Sequence, residues 1–100
     1  MPRVRTSPDP RPTLVYFASR RSGPSRRVQA FLDQVLQSRH NHETFRRRDV
    51  DVDEHPDLAR RFHVEEVPTI IVVDQGQVAQ RLEGRVGIPQ IRTALANWLQ

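Results

Sequence analysis

The residues best placed to do chemistry are two serines in the segment RRSGPSRRV, which spans residues 20–28. Ser22 and Ser25 stand three residues apart, at the start of a predicted helix. A serine hydroxyl becomes a nucleophile only when a neighbouring base removes its proton. The sequence places no histidine beside Ser22 with a carboxylate behind it, so little supports a hydrolytic triad. Ser22 is instead suited to cap the helix, because its oxygen can accept a hydrogen bond from a free backbone N–H.

The chain has 100 residues and contains no cysteine. Disulfides, thiolate catalysis and cysteine-ligated metals are therefore excluded. His40 and His42 share a polar loop without a carboxylate pattern, and the acidic run 49–54 lacks the glycine and spaced glutamate of a calcium loop. We expect neither a metal nor a cofactor.

Four arginines bracket the predicted helix start: Arg20, Arg21, Arg26 and Arg27. Cations in a first turn oppose the helix dipole, whereas an anion would be favoured there. Two interpretations stay open, an anionic ligand or acidic partner at this loop, and a surface that is simply rich in arginine. All sixteen basic residues are arginine and the net charge is +4, so a single arginine carries little information.

The sequence does not favour nucleic acid as a partner. Arg46, Arg47 and Arg48 lie on a predicted strand, so their side chains alternate between faces and form no single patch. Most aromatic residues fall on predicted core faces, which leaves few platforms for stacking bases. A steep dependence of affinity on salt would be required to support this class.

Hydrophobic patterns predict the elements that position these residues. Short runs rich in β-forming residues predict strands over 13–19, 44–52, 69–74 and 77–83, with a turn at 75–76. Helical spacing predicts a helix from Ser22 to Leu36, a short helix over 54–63 and a last helix opened by Pro89. Residues 38–43 are predicted to be a polar loop.

The predicted order is β-α-β-α-β-β-α, which belongs to the α/β class. Strand–helix–strand units favour parallel pairing, and the final hairpin adds an antiparallel edge. We expect a four-stranded mixed sheet with helices on both faces, formed by one domain over 13–100. Residues 1–12 contain four prolines and are predicted to be a disordered lead-in. No secretory or membrane-spanning pattern is present, so a cytoplasmic location is expected.

Three segments together resemble the thioredoxin family. FASRRSGPSRRV resembles its strand, active-site loop and helix start, VDVDEHPDLARRFHVEEVPT the approach to its cis-proline, and DQGQVAQRLEG its closing hairpin. The resemblance implies a thioredoxin-like three-layer α/β/α fold that lacks the N-terminal strand and helix. It puts Ser22 and Ser25 at the two cysteine positions, makes Pro68 the cis-proline, and matches Gly84 to the glycine after the hairpin.

The residues around the loop depart from the family pattern. Tyr16 stands where the family has a buried acid, Asp49 where it has a lysine, and Arg21 where it has a tryptophan. The resemblance therefore implies a redox-inactive binding or adaptor domain. The alternative is a thiol–disulfide oxidoreductase, a protein-disulfide reductase whose cysteines have been replaced by serine.

We predict a groove for an extended, acidic segment of a partner protein. No catalytic residue is assigned. The predicted binding residues are Arg20, Arg21, Ser22, Gly23, Pro24, Ser25, Arg26, Val67, Pro68 and Thr69.

Overall fold

A computed structural model describes residues 9–100 of the chain. Four strands and three helices follow the predicted order. The strands are β1 (Thr13–Ala18), β2 (Arg46–Asp51), β3 (Thr69–Asp74) and β4 (Gln77–Glu83). The helices are α1 (Gly23–Gln37), α2 (Pro56–Arg61) and α3 (Ile88–Leu95).

The strands form one mixed sheet in the order β2-β1-β3-β4. β1 and β2 run parallel, as the α1 crossover requires. β3 runs antiparallel to β1 and to β4, so the general expectation of parallel pairing across a helix is wrong for the α2 connection. The reason is that the connection through α2 does not carry the chain back along the sheet: β2 stops at Asp51, opposite Ala18, and β3 starts at Thr69, opposite Phe17, at the same end of β1.

Apolar side chains cover both faces of the sheet. On one face, Leu14, Tyr16 and Ile70 pack against the buried sides of α1 and α3. On the other face, a smaller cluster around Phe17 and Ile71 packs against α2. The predicted three-layer α/β/α architecture is therefore confirmed.

Residues 38–43 differ from the predicted loop. The structure forms a 3₁₀ segment, Ser38–Glu43, kinked where Arg39 and His40 take left-handed φ angles of 54° and 59°. Asn41 is buried there, and its side chain donates a 2.6 Å hydrogen bond to the carbonyl of Ser38. A buried amide that bonds the local backbone holds this polar stretch in a compact form.

Strict alternation along β4 would put Val78 and Leu82 on the same face. A register shift at Val72/Val73 prevents this, because Leu82 lies opposite Ile70 whereas Val78 lies opposite Val73. Leu82 therefore packs on the α1 face, and Val78 points to the other face with 52% of its surface exposed. A bulge of this kind reverses the alternation of side chains.

The predicted disordered lead-in falls largely on residues 1–8, which lie outside the described residues. Residues 9–12 lead into the interior strand β1, and the Pro12 carbonyl accepts a 2.8 Å hydrogen bond from the Arg46 N–H at the start of β2. Over residues 9–100, no helix has both the length and the apolar character needed to cross a bilayer.

Candidate binding site

The loop that carries the two serines connects β1 to α1. Ser22 has an extended backbone and caps α1, since its Oγ accepts a 3.1 Å hydrogen bond from the Ser25 N–H. Pro24 has no N–H to satisfy, and the Arg26 N–H donates to the Ser22 carbonyl at 3.4 Å. The predicted cap is confirmed. Within the described residues, Gly23 is left with the one unpartnered N–H at this helix end, so the backbone offers little to an anion.

Ser25 lies below the loop and is buried. Its Oγ accepts a 3.3 Å hydrogen bond from the Ser19 N–H, and its backbone carbonyl accepts one from the hydroxyl of Tyr16. Burial, reinforced by the negative charge of Asp49, raises the pKa of the Tyr16 phenol well above its usual range. Tyr16 therefore stays neutral near pH 7 and does not act as a base there.

Asp49 lies on β2 opposite Tyr16. Its Oδ1 accepts a 2.9 Å hydrogen bond from Nε of Arg47, and the same guanidinium also bonds Asp33 on α1. These two carboxylates raise the pKa of Arg47 against the effect of its partial burial. The position that resembles the family's lysine is thus part of an ion-pair network that joins α1 to β2.

A cleft of about 500 Å³ opens between the ends of β1 and β2 and the start of α1, and we call it the β2 cleft. Arg20 lines it and lies 3.6 Å from Asp51 and 3.5 Å from Glu54. Arg26 also lines it, and donates to the carbonyl of Arg20 at 3.1 Å. The predicted arginine cluster is therefore divided, because Arg20 and Arg26 belong to this mixed-charge cleft.

The segment Val67–Thr69 contains the predicted cis-proline and leads into β3, which begins at Thr69. The peptide bond between Val67 and Pro68 is cis. Pro68 and Thr69 are buried; the Pro68 carbonyl accepts a 2.8 Å hydrogen bond from the Gly84 N–H, and Thr69 Oγ1 donates to the Glu66 carbonyl at 2.8 Å. By contrast, neither the N–H nor the C=O of Val67 has a hydrogen-bond partner in residues 9–100.

A second groove, of about 310 Å³, lies on the other side of the serine loop, and we call it the Arg27–Arg85 groove. Its lining residues come from α1 and from the turn after β4. They are Gly23, Pro24, Arg27, Val28, Arg85 and Val86.

Sequence reasoning missed Arg85 and Val86, which form the second wall of this groove. The available signal was Gly84, whose φ of +83° turns the chain out of β4 directly before Arg85. Gly84 also donates a hydrogen bond to Pro68, so the cis-proline segment adjoins this wall.

The predicted binding residues differ in exposure. Arg21 is exposed on the loop, whereas Ser25, Pro68 and Thr69 are too buried to offer their side chains to a partner.

The described residues contain no group of three or more histidine, aspartate or glutamate side chains arranged to hold a metal ion. His42 lies 3.8 Å from Glu43, and its ring lies 5.9 Å from that of His40. These contacts are local to the 3₁₀ segment.

Comparisons with known proteins match this geometry. The thioredoxin family model matches residues 4–98. The chain belongs to the thioredoxin family. A thioredoxin of Mycolicibacterium smegmatis is 34% identical over 89 residues, covering 89% of this chain and 80% of that protein. The bifunctional thioredoxin reductase/thioredoxin of Mycobacterium leprae is 34% identical over 77 residues, covering 77% of this chain but 16% of that protein.

Solved thioredoxin structures share the fold. The germline-specific thioredoxin Deadhead of Drosophila melanogaster has a TM-score of 0.79 and 18% sequence identity, over 91% of this chain and 84% of that chain. Within this thioredoxin fold, the chain carries serine at 22 and 25 and has no cysteine at all.

Proposed function

We propose that this chain is a redox-inactive thioredoxin-fold module that binds an extended segment of a partner protein. The bound segment would lie between the loop Arg21–Ser25 and the segment Val67–Thr69, and would continue into the Arg27–Arg85 groove. The observation that carries the proposal is the backbone of Val67, whose N–H and C=O lack partners among the described residues. An extended peptide can satisfy both groups at once by strand addition.

Besides the two serines, the residues behind the loop also support the loss of redox activity. A dithiol would need a thiolate at position 22 and a group that moves protons nearby. Tyr16 is neutral and bonded to the Ser25 carbonyl, and Asp49 is held by Arg47. The alternative is an oxidoreductase in which only the two cysteines were replaced. Such a replacement does not explain why Tyr16 and Asp49 stand at their positions.

The proposal is tested by selecting displayed linear nonapeptides on the immobilised chain and then mapping the selected peptides by NMR. We expect the bound peptide to shift the amide signals of Gly23, Val67 and Gly84, and to slow hydrogen exchange at the Val67 N–H. Selected peptides that leave these three signals unchanged, or a library that yields no binder, would overturn the proposal.

A matched pair of variants makes the test specific to the groove. A Cβ built at Gly23 meets nothing within 4 Å, so Gly23→Trp introduces no clash at its Cβ and adds bulk at the groove. Gln77→Trp adds the same ring at the exposed far end of β4, roughly 20 Å along the strand from Glu83. Gly23→Trp is expected to abolish peptide binding, and Gln77→Trp to leave it unchanged.

A further inference from the structure

Two arginines line the Arg27–Arg85 groove from distant parts of the sequence. Arg27 lies in α1 and Arg85 follows β4, and both are exposed. Within residues 9–100, neither has an acidic side chain at ion-pair distance, whereas Arg20 on the neighbouring loop contacts Asp51 and Glu54. Two positive charges on one opening without a counter-charge raise the local potential and attract a negative group.

The rest of the groove is largely apolar. Pro24, the buried Val28 and the half-buried Val86 form its lining together with Gly23. Guanidinium groups bind a carboxylate through two parallel hydrogen bonds, and an apolar surface next to them favours an apolar side chain. The groove therefore matches a carboxylate with an aliphatic neighbour.

A negative charge lies near Gly84, where the wall formed by Arg85 begins. Glu66 is exposed, and its carboxylate lies beside Gly84, 3.5 Å from the point where a Cβ on that glycine would be. Gly84 is the residue that bonds Pro68. An acidic group is thus repelled near Gly84 by Glu66, whereas Arg27 attracts it on the α1 side of the groove.

We propose that the Arg27–Arg85 groove selects partner segments that carry an aspartate or glutamate next to an aliphatic residue. This inference rests on the proposed function, because it names the chemistry of the segment that the same site would hold. Arg27 and Arg85 are the residues that determine the specificity.

The absence of native cysteine permits a direct test, because Ser22→Cys gives the chain a single thiol at the site. The variant is equilibrated with oxidised and reduced glutathione and with capped heptapeptides that have a central cysteine in a glycine–valine background; oxidised glutathione is the oxidant, and two reduced glutathione molecules are released for each mixed disulfide formed. The peptides are made in pairs. At one position other than the cysteine, the first peptide of a pair carries glutamate and the second carries glutamine, and there is one pair for each such position. Mass spectrometry then gives the equilibrium fraction of each mixed disulfide.

We expect glutamate to be captured about three- to fivefold better than glutamine at one or two positions, the range of an exposed ion pair. Adding Arg27→Gln or Arg85→Gln should each remove this preference. Arg61→Gln changes an exposed arginine of α2, on the opposite side of the sheet, and should keep it. Glutamate also changes the reactivity of the cysteine in its own peptide. This change is the same for every protein variant, so it cancels when variants are compared with the same peptides.

The outcomes separate the two proposals. Peptide capture above that of glutathione, with equal capture of glutamate and glutamine at every position, would overturn the acid selectivity and leave the proposed function standing. Capture of every peptide no better than glutathione would overturn both. A phosphoserine peptide preferred over its glutamate counterpart would assign the groove to phosphate and overturn the carboxylate selectivity.

Discussion

The hydroxyl of Tyr16 donates a hydrogen bond to the backbone carbonyl of Ser25, which fixes the first turn of α1 to strand β1. Both residues are buried beneath the exposed loop Arg20–Arg21. A neutral phenol used as a structural donor therefore lies directly behind the two serines. This contact fixes the loop from below and leaves the Tyr16 phenol unsuited to proton transfer near pH 7.

The Tyr16 contact predicts how stability depends on pH. The folded pKa of Tyr16 is raised above its unfolded value of about 10, so its contribution is complete below about pH 10 and is lost as pH rises further. The chain has one tyrosine and neither lysine nor cysteine, so this interval isolates a single side chain. The free energy of unfolding should fall by up to about 1.4 kcal/mol per pH unit above pH 10.

Tyr16→Phe is the matched control for that pH series. It should lower the free energy of unfolding by about 1 kcal/mol at pH 7 and remove the decline above pH 10. Urea denaturation measured at intervals from pH 7 to about pH 11.5 tests both. Parallel curves for the two proteins above pH 10 would contradict the assigned pKa direction.

We expect that restoring the two cysteines does not restore full disulfide-reductase activity. Ser22→Cys/Ser25→Cys places thiols at the start of α1, but Tyr16 supplies no base behind them. We expect reduction of insulin disulfides to be slower than with an active thioredoxin by about 100-fold, the usual contribution of a positioned proton carrier. Adding Tyr16→Asp should raise the rate. Thioredoxin-like turnover by the double variant alone would favour the oxidoreductase alternative.

Alanine variants at Gly84 and Gly76 distinguish the effect of backbone strain on stability from an effect on peptide binding. Their φ angles are +83° and +78°, so alanine at either position should cost about 1–2 kcal/mol of unfolding free energy. Only Gly84 bonds Pro68, and only it precedes Arg85. Chemical denaturation should therefore show similar losses, while Gly84→Ala alone weakens peptide binding. Equal effects on binding would argue against a role for the Gly84 turn.

The bulge in β3–β4 predicts a contrast between two aliphatic side chains. Leu82→Ala should lower the free energy of unfolding by about 2 kcal/mol, because Leu82 packs against the buried cluster. Val78→Ala should change it by less than about 0.5 kcal/mol, because half of Val78 is exposed. Thermal and urea unfolding of both variants measure the difference. Comparable losses would mean that the register shift is absent.

Local signals in the sequence were enough for much of the fold. The cap at Ser22 and the strand Thr69–Asp74 each depend on a few neighbouring residues, and both are confirmed. The antiparallel direction of β3 was not predictable in this way, since it depends on the end of the sheet at which the α2 connection returns the chain. The bulge opposite Val78 likewise depends on the pairing of two strands, which alternation along one strand does not contain.

In the candidate site, too, some residues could be predicted from local sequence motifs and others depend on tertiary contacts. The sequence motifs allowed the loop Arg21–Ser25 and Pro68 to be proposed as binding residues. Arg85 could not be proposed in this way, because only the folded chain brings it beside α1. The ion pairs that separate Arg20 from the groove arise in the same way, from contacts between loops that are about 30 residues apart.

The edge position of β2 bears on how copies of the chain behave at high concentration. Arg46, Arg47, Arg48 and Asp49 are all exposed along this outer strand of the sheet. A bare strand edge is a template for association between molecules, and a dense row of charged side chains on it opposes that contact. The arginine-rich edge therefore opposes the association of two copies of the chain through β2.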